Sequence, residues 1–148
     1  MAKRVPPSLF AILAVLLAGC EQGPHSSSGF RLPEGNAAKG KAAFVAYGCH
    51  TCHEVPGTDL PKPTVQPPVP VILGGIVEQP ITDGYLVTSI IYPSYRLAAR
   101  PKDQITEHGH SRMPGFTDKM TVQDLADIVA FLQSRYVIRR TPPDYGTR

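Results

Sequence analysis

The chain has 148 residues, with 15 Lys and Arg against 12 Asp and Glu and a formal charge of +3. That length suits one domain. The near balance of charge, with no basic stretch interleaved with aromatics, excludes a protein that grips nucleic acid through its phosphates.

The first 19 residues read as a signal peptide rather than as part of the fold. Lys3 and Arg4 form a short basic region, and Leu9 to Leu17 is an apolar run of nine residues, too short to span a bilayer as a helix. The run ends in Leu17-Ala18-Gly19-Cys20, which resembles the lipobox of bacterial lipoproteins, so that Cys20 becomes the acylated first residue. The alternative is an ordinary signal peptide that leaves Cys20 as a free thiol. Multiple acyl chains give stable anchoring where one does not. Loss of Lys3 and Arg4 leaves 13 basic residues against 12 acidic ones, a formal charge of +1. Residues 20–35, with Ser26-Ser27-Ser28-Gly29 and a solvated His25, lack apolar periodicity and read as a flexible tether.

Asn36 is a helix N-cap, and the spacing predicts a helix to about Tyr47 with Gly40, Ala43, Phe44 and Tyr47 on one face. Glycine inside a helix costs about 1 kcal/mol relative to alanine, and close approach by another helix would justify Gly40. Gly48 stops the helix just before Cys49-His50-Thr51-Cys52-His53. This C-x-x-C-H pattern reads as covalent attachment of one c-type haem. Cys49 and Cys52 each add to a vinyl group, and His53 ligates the iron from the proximal side. A redox dithiol does not need the following histidine, and a structural zinc site would need a second ligand pair that is not visible. One acylated Cys20 and two thioether cysteines account for all three cysteines. His50, at a variable position of the motif, reads as a surface residue.

Prolines 56, 61, 63, 67, 68, 70 and 80 exclude a regular helix between Glu54 and Ile81. The segment is an irregular wrap for one face and edge of the porphyrin, with the apolar run Val69 to Ile76 against the ring. Thr82 caps a short helix, Asp83 to about Ile91, with Leu86, Ile90 and Ile91 facing inward; Pro93 ends it. Tyr95 to Lys119 shows no sustained periodicity and reads as a second long loop, with Arg96, Arg100, His108, His110, Arg112 and Met113. Thr121 caps the last helix, whose stripe runs through Leu125, Ile128, Val129, Leu132 and Tyr136. The tail, residues 137–148, should leave the domain.

A glycine-containing helix, C-x-x-C-H, a proline-rich loop, a short helix, Met-Pro and a terminal amphipathic helix, in that order over residues 36–136, resemble the class I cytochromes c. The resemblance implies a mainly α fold of three main helices and long loops wrapped around a single haem. It implies that the first and last helices cross closely, with Gly40 and Phe44 against the Phe131 and Leu132 region. It also implies a proline carbonyl that accepts the proximal histidine's other N–H, for which Pro70 fits better than Pro68. Met113, followed by Pro114-Gly115-Phe116, resembles the family's distal ligand; Met120, His108 and His110 stay open as alternatives. Arg96, Arg100 and Arg112 either pair with haem propionates or are solvated.

The function this implies is single-electron carriage by a lipid-anchored monohaem protein in the bacterial cell envelope, facing the periplasm if the cell is Gram-negative. Its partners would be a redox donor and acceptor, with no catalytic activity of its own. Two rivals differ in kind: an electron-transfer subunit of a membrane oxidoreductase complex, docked through the tail, and an enzyme or sensor with an open distal site.

Overall fold

Asn36 opens the first helix, α1 (Ala37–Ala46), by accepting the backbone N–H groups of Ala38 and Lys39 on its side-chain oxygen, both at 3.0 Å. Two donors that a helix start leaves unpaired are thereby satisfied. The helix closes where Tyr47 and Gly48 donate back to the carbonyls of Ala43 and Val45. Gly48 takes the left-handed conformation there, φ 71°, which glycine reaches without steric cost.

The structure, a computed structural model, describes residues 30–62 and 71–139. Residues 1–29, among them Cys20 and most of the tether, lie outside the described residues, as do Pro70 and residues 140–148. The chain divides into Met1–Arg31, of which Phe30 and Arg31 are described, and Leu32–Arg148, which carries the elements of the described residues.

After α1 a 3-10 turn at Cys49–Thr51 leads into β1 (His53–Glu54), which pairs in parallel with β2 (Val71–Ile72) in the register His53 to Val71. β3 (Gly75–Val77) follows, then α2 (Asp83–Ile91), where Thr82 accepts the N–H of Tyr85 on its hydroxyl at 3.2 Å. The segment read as a second long loop is more regular than expected. It holds a single helical turn, α3 (Lys102–Ile105), and an antiparallel hairpin of β4 (Thr106–Glu107) and β5 (His110–Ser111). His108 and Gly109 both have positive φ, 49° and 82°, the signature of a two-residue primed turn matched to strand twist. α4 (Val122–Gln133) opens on a capping box, Thr121 accepting the N–H of Asp124 and Asp124 that of Thr121.

Two expectations about the C-terminal end are corrected. Tyr136 does not lie on the helical stripe, because α4 stops at Gln133; it begins β6 (Tyr136–Ile138), parallel to β3. Val137 and Ile138, read as the start of a departing tail, are therefore paired with Ile76 and Val77. The ladder extends at both ends, from Gly75 N–H to Arg135 O and from Arg139 N–H to Val77 O, each 2.9 Å.

The core forms where α1 crosses α4. Gly40 lies directly on the Asp127 backbone, and a Cβ there would stand 2.9 Å from that of Phe131. Four residues on, the ring of Phe44 meets Phe131 edge-on at 5.6 Å between centroids, a geometry that aromatic quadrupoles favour. Phe44 and Ile128 are fully buried, each burial stabilising the fold by roughly 1.5–3 kcal/mol. Leu86, Val87 and Ile90 of α2 and Phe116 complete the cluster. Among the described residues one carboxyl side chain is buried: Asp127 of α4 accepts the backbone N–H of Asn36 at 2.7 Å and the Gln123 side chain at 3.0 Å. A carboxylate out of water needs such donors, and here they tie the entry to α1 onto α4. Among the described residues no helix is long and apolar enough to cross a membrane.

Candidate cofactor site

The left-handed Gly48 turns the chain out of α1 so that Cys49 begins the 3-10 turn. Thr51 N–H and Thr51 Oγ1 both donate to Gly48 O, at 3.0 and 2.7 Å, and Cys52 N–H donates to Cys49 O at 3.2 Å. The turn holds two unbridged thiols, Cys49 packed half-buried against the core and Cys52 exposed. Burial pushes the Cys49 thiol up to about 11, so it stays protonated at neutral pH. A redox-active dithiol works through a thiol shifted the opposite way. Among the described residues no group of three or more His, Cys, Asp and Glu is arranged to hold a metal ion.

His53 follows at the start of β1. Its main chain is held in the ladder with Val71, and Leu73 N–H donates to Glu54 O at 2.8 Å just beyond. Its ring lies 6.5 Å from that of Phe44. Burial lowers the imidazole's pKa, and the neighbouring Val71 backbone only partly offsets this. The ring is therefore neutral at pH 7, the form that ligates metals. Its Nδ1 is buried and finds no hydrogen-bond partner among the described residues. Residue 70 adjoins the residue paired with His53 but lies outside the described residues, so the Pro70 expectation stays an expectation. A neutral, buried imidazole with an unpaired ring nitrogen, directly after two free cysteines on a tight turn, fits a covalently held haem.

The other sequence candidates fall into two groups. Met113 and Met120 are both half-buried against the same core cluster as Cys49. Met113 leaves the β4–β5 hairpin, with its N–H on Ser111 Oγ at 3.2 Å. Met120 ends a turn in which its N–H donates to Phe116 O at 3.1 Å, immediately before the Thr121 cap. His108 and His110 are exposed on the hairpin. Arg96 stacks its guanidinium over the Tyr85 ring at 5.9 Å, Arg112 makes an exposed pair with Glu107 at 3.8 Å, and Arg100 is exposed at a bend. His50 is half-buried rather than a plain surface residue. Val71, Ile72 and Ile76, from the apolar run expected against the ring, are exposed.

Tyr47 and Phe116 were not singled out as site residues from the sequence. The Tyr47 hydroxyl donates to Asp124 Oδ2 at 2.8 Å, and its ring meets Phe116 edge-on at 6.1 Å. Two residues before Cys49 and three after Met113, this pair joins both approaches to the site onto the start of α4. The same hydrogen bond pushes the Tyr47 phenol up, while Thr121 and then Tyr47 hold the Asp124 carboxyl down. Tyr47 lay on the predicted inner face of α1, but nothing in sequence marks Asp124 as its partner.

A family model described as Cytochrome c matches residues 37–135. No curated protein and no solved structure matches the chain.

Proposed function

From the premise that this chain belongs to the cytochrome c family, we propose that it is a lipid-anchored monohaem electron carrier of the bacterial cell envelope. Membership implies covalently attached haem c, typically one per domain of this kind, and with it electron carriage. When bound, haem c supplies a one-electron iron couple. The chain's own residues do the rest. Cys49 and Cys52 anchor the group through thioether bonds. His53 would ligate the iron through one ring nitrogen, and by the family resemblance the carbonyl of Pro70 would be the acceptor for Nδ1–H, which has no partner among the described residues; such a bond would keep the ring oriented and basic. Met113 would be the second protein ligand to the iron, and its thioether would favour the reduced state and leave no open site for an external ligand. Cys20 carries the lipid.

The observation that carries this reading is the neutral, buried His53 with its unpaired Nδ1, adjoining two free cysteines. The test is to express the full chain in a host that attaches c-type haem. Haem should stay on the chain under denaturing conditions and be lost in the C49A/C52A double variant. The ferric protein should show the weak far-red methionine–iron charge-transfer band, abolished by Met113→Ala and kept in Met120→Ala. Cys20→Ser should move the protein from membranes to the soluble fraction. A high-spin ferric wild type would instead indicate an open distal site and an enzyme or sensor.

A second reading, as the electron-transfer subunit of a membrane oxidoreductase, draws on the small β3–β6 sheet. Ile76, Val137 and Ile138 there are 57, 61 and 47% exposed, an apolar surface suited to a protein partner. Retention of a partner on gentle membrane extraction would favour the subunit over the free shuttle.

A further inference from the structure

The strand that delivers Met113 is tied down by two hydroxyl groups from separate parts of the chain. Ser94, just past the proline that ends α2, accepts the Ser111 N–H on its Oγ at 3.0 Å. Ser111, on β5, in turn accepts the Met113 N–H on its Oγ at 3.2 Å. Both bonds are partly buried, which raises the cost of leaving either N–H unmade. Between them Arg112 N–H donates to Ile105 O at 2.9 Å, so three successive amides of the segment are all engaged. Beyond the methionine the contact with the end of α2 continues, since a Cβ on Gly115 would meet Ile91 O at 3.4 Å. The Met113 segment is thus registered against Ile91–Ser94, and the side chains that set the register are the two serines.

We propose that Ser94 and Ser111 are positioning residues for the distal ligand, a hydroxyl relay that holds the Met113 backbone in the arrangement from which its thioether reaches the iron. The inference rests on the assignment of Met113 as that ligand. The relay acts before any ligand bond forms, because it orders the backbone and leaves the methionine side chain only its own rotamers to settle. Without Ser94 Oγ the Ser111 amide loses its partner, the strand detaches from α2, and Met113 competes less well for its position. Threonine at 94 keeps the oxygen and should keep the function. The exposed Arg112–Glu107 pair lies in the same hairpin but outside the relay.

The test uses the haem-loaded full chain and added imidazole, which competes with the methionine thioether for the iron. Ser94→Ala and Ser111→Ala should each bind imidazole about tenfold more tightly than wild type, the effect of one unmade partly buried hydrogen bond. Ser94→Thr and Glu107→Gln should match wild type. Amide hydrogen exchange over residues 111–113 should quicken by a similar factor in Ser94→Ala, with α1 and α4 unchanged. If Ser94→Ala fails to accumulate, Ser111→Ala, whose own amide still pairs with Ser94, carries the same expectation. Wild-type imidazole affinity and exchange in the alanine variants, with the far-red band lost in Met113→Ala, would overturn the relay and leave the ligand assignment standing. Survival of that band in Met113→Ala would overturn the assignment itself, and the relay's role at the iron with it, whatever the exchange rates show.

Discussion

Replacing Gly40 by alanine tests the helix crossing on which the site is built. Helix propensity alone favours the change by about 1 kcal/mol. The crossing opposes it: the new methyl would lie 2.9 Å from Phe131 Cβ and closer still to the Asp127 backbone, against the ~3.5–4.0 Å of ordinary carbon contact. Overpacking of this kind costs about 1–3 kcal/mol, at the upper end here because backbone cannot swing aside as a side-chain tip can. The net expectation is a loss of about 1–2 kcal/mol. For a domain of this size that lowers Tm by roughly 5–15 °C. Gly84, in the first turn of α2 with no atom within 4 Å of its added Cβ, is the matched control; Gly84→Ala should stabilise by about 0.4–1 kcal/mol. Denaturant unfolding of the two haem-loaded variants beside wild type decides the matter. A Gly40→Ala protein as stable as Gly84→Ala would show that α1 and α4 are not in backbone contact.

Three further outcomes are expected. Asp127→Ala leaves the Asn36 amide and the Gln123 side chain without their acceptor and should cost about 1–3 kcal/mol in denaturant unfolding, with faster amide exchange at Asn36. The Asp124 carboxyl is held low by Thr121 and Tyr47, so its contribution is fully present above the unfolded carboxylate value of about 4. That contribution should fade as pH falls through the depressed folded value, and Asp124→Asn should flatten the acid limb of an unfolding-midpoint-against-pH series. Truncation after Arg135 removes β6 and its pairing with β3; exchange should quicken at Val77, while Gly75, which keeps Arg135 O as its acceptor, and α2 are unaffected.

The three main helices were legible because each carries its signal within its own span. Asn36, Thr82 and Thr121 cap where their side chains predicted, and Gly40, Phe44, Leu86, Ile90 and the Leu125–Leu132 stripe face inward. The four-residue α3 is too short for periodicity to register. The hairpin was marked only by His108-Gly109, a weaker form of the Asn-Gly signal, and histidine is among the residues that tolerate positive φ. β6 could not be read at all, since three residues pair with three others far away in sequence and Tyr136 continues the helical spacing by coincidence. The burial of Asp127 was equally hidden, because its donors are a distant backbone amide and a glutamine on its own helix. At the site, C-x-x-C-H was explicit in sequence, whereas the serines that register Met113 emerge only from tertiary geometry.

The α1–α4 crossing also has a temporal side. The carboxylate that accepts the Asn36 amide lies 91 residues further along the chain, and the surface that Gly40 and Phe44 require belongs to that same last helix. During synthesis from the N-terminus, α1 therefore spends nearly the whole interval without its partner, and ten residues alone make a marginal helix in water. Cys49 is made long before anything exists to bury it. The chain thus keeps both thiols open to modification while it is still unfolded, and packs Cys49 against its core only when the final helix has arrived.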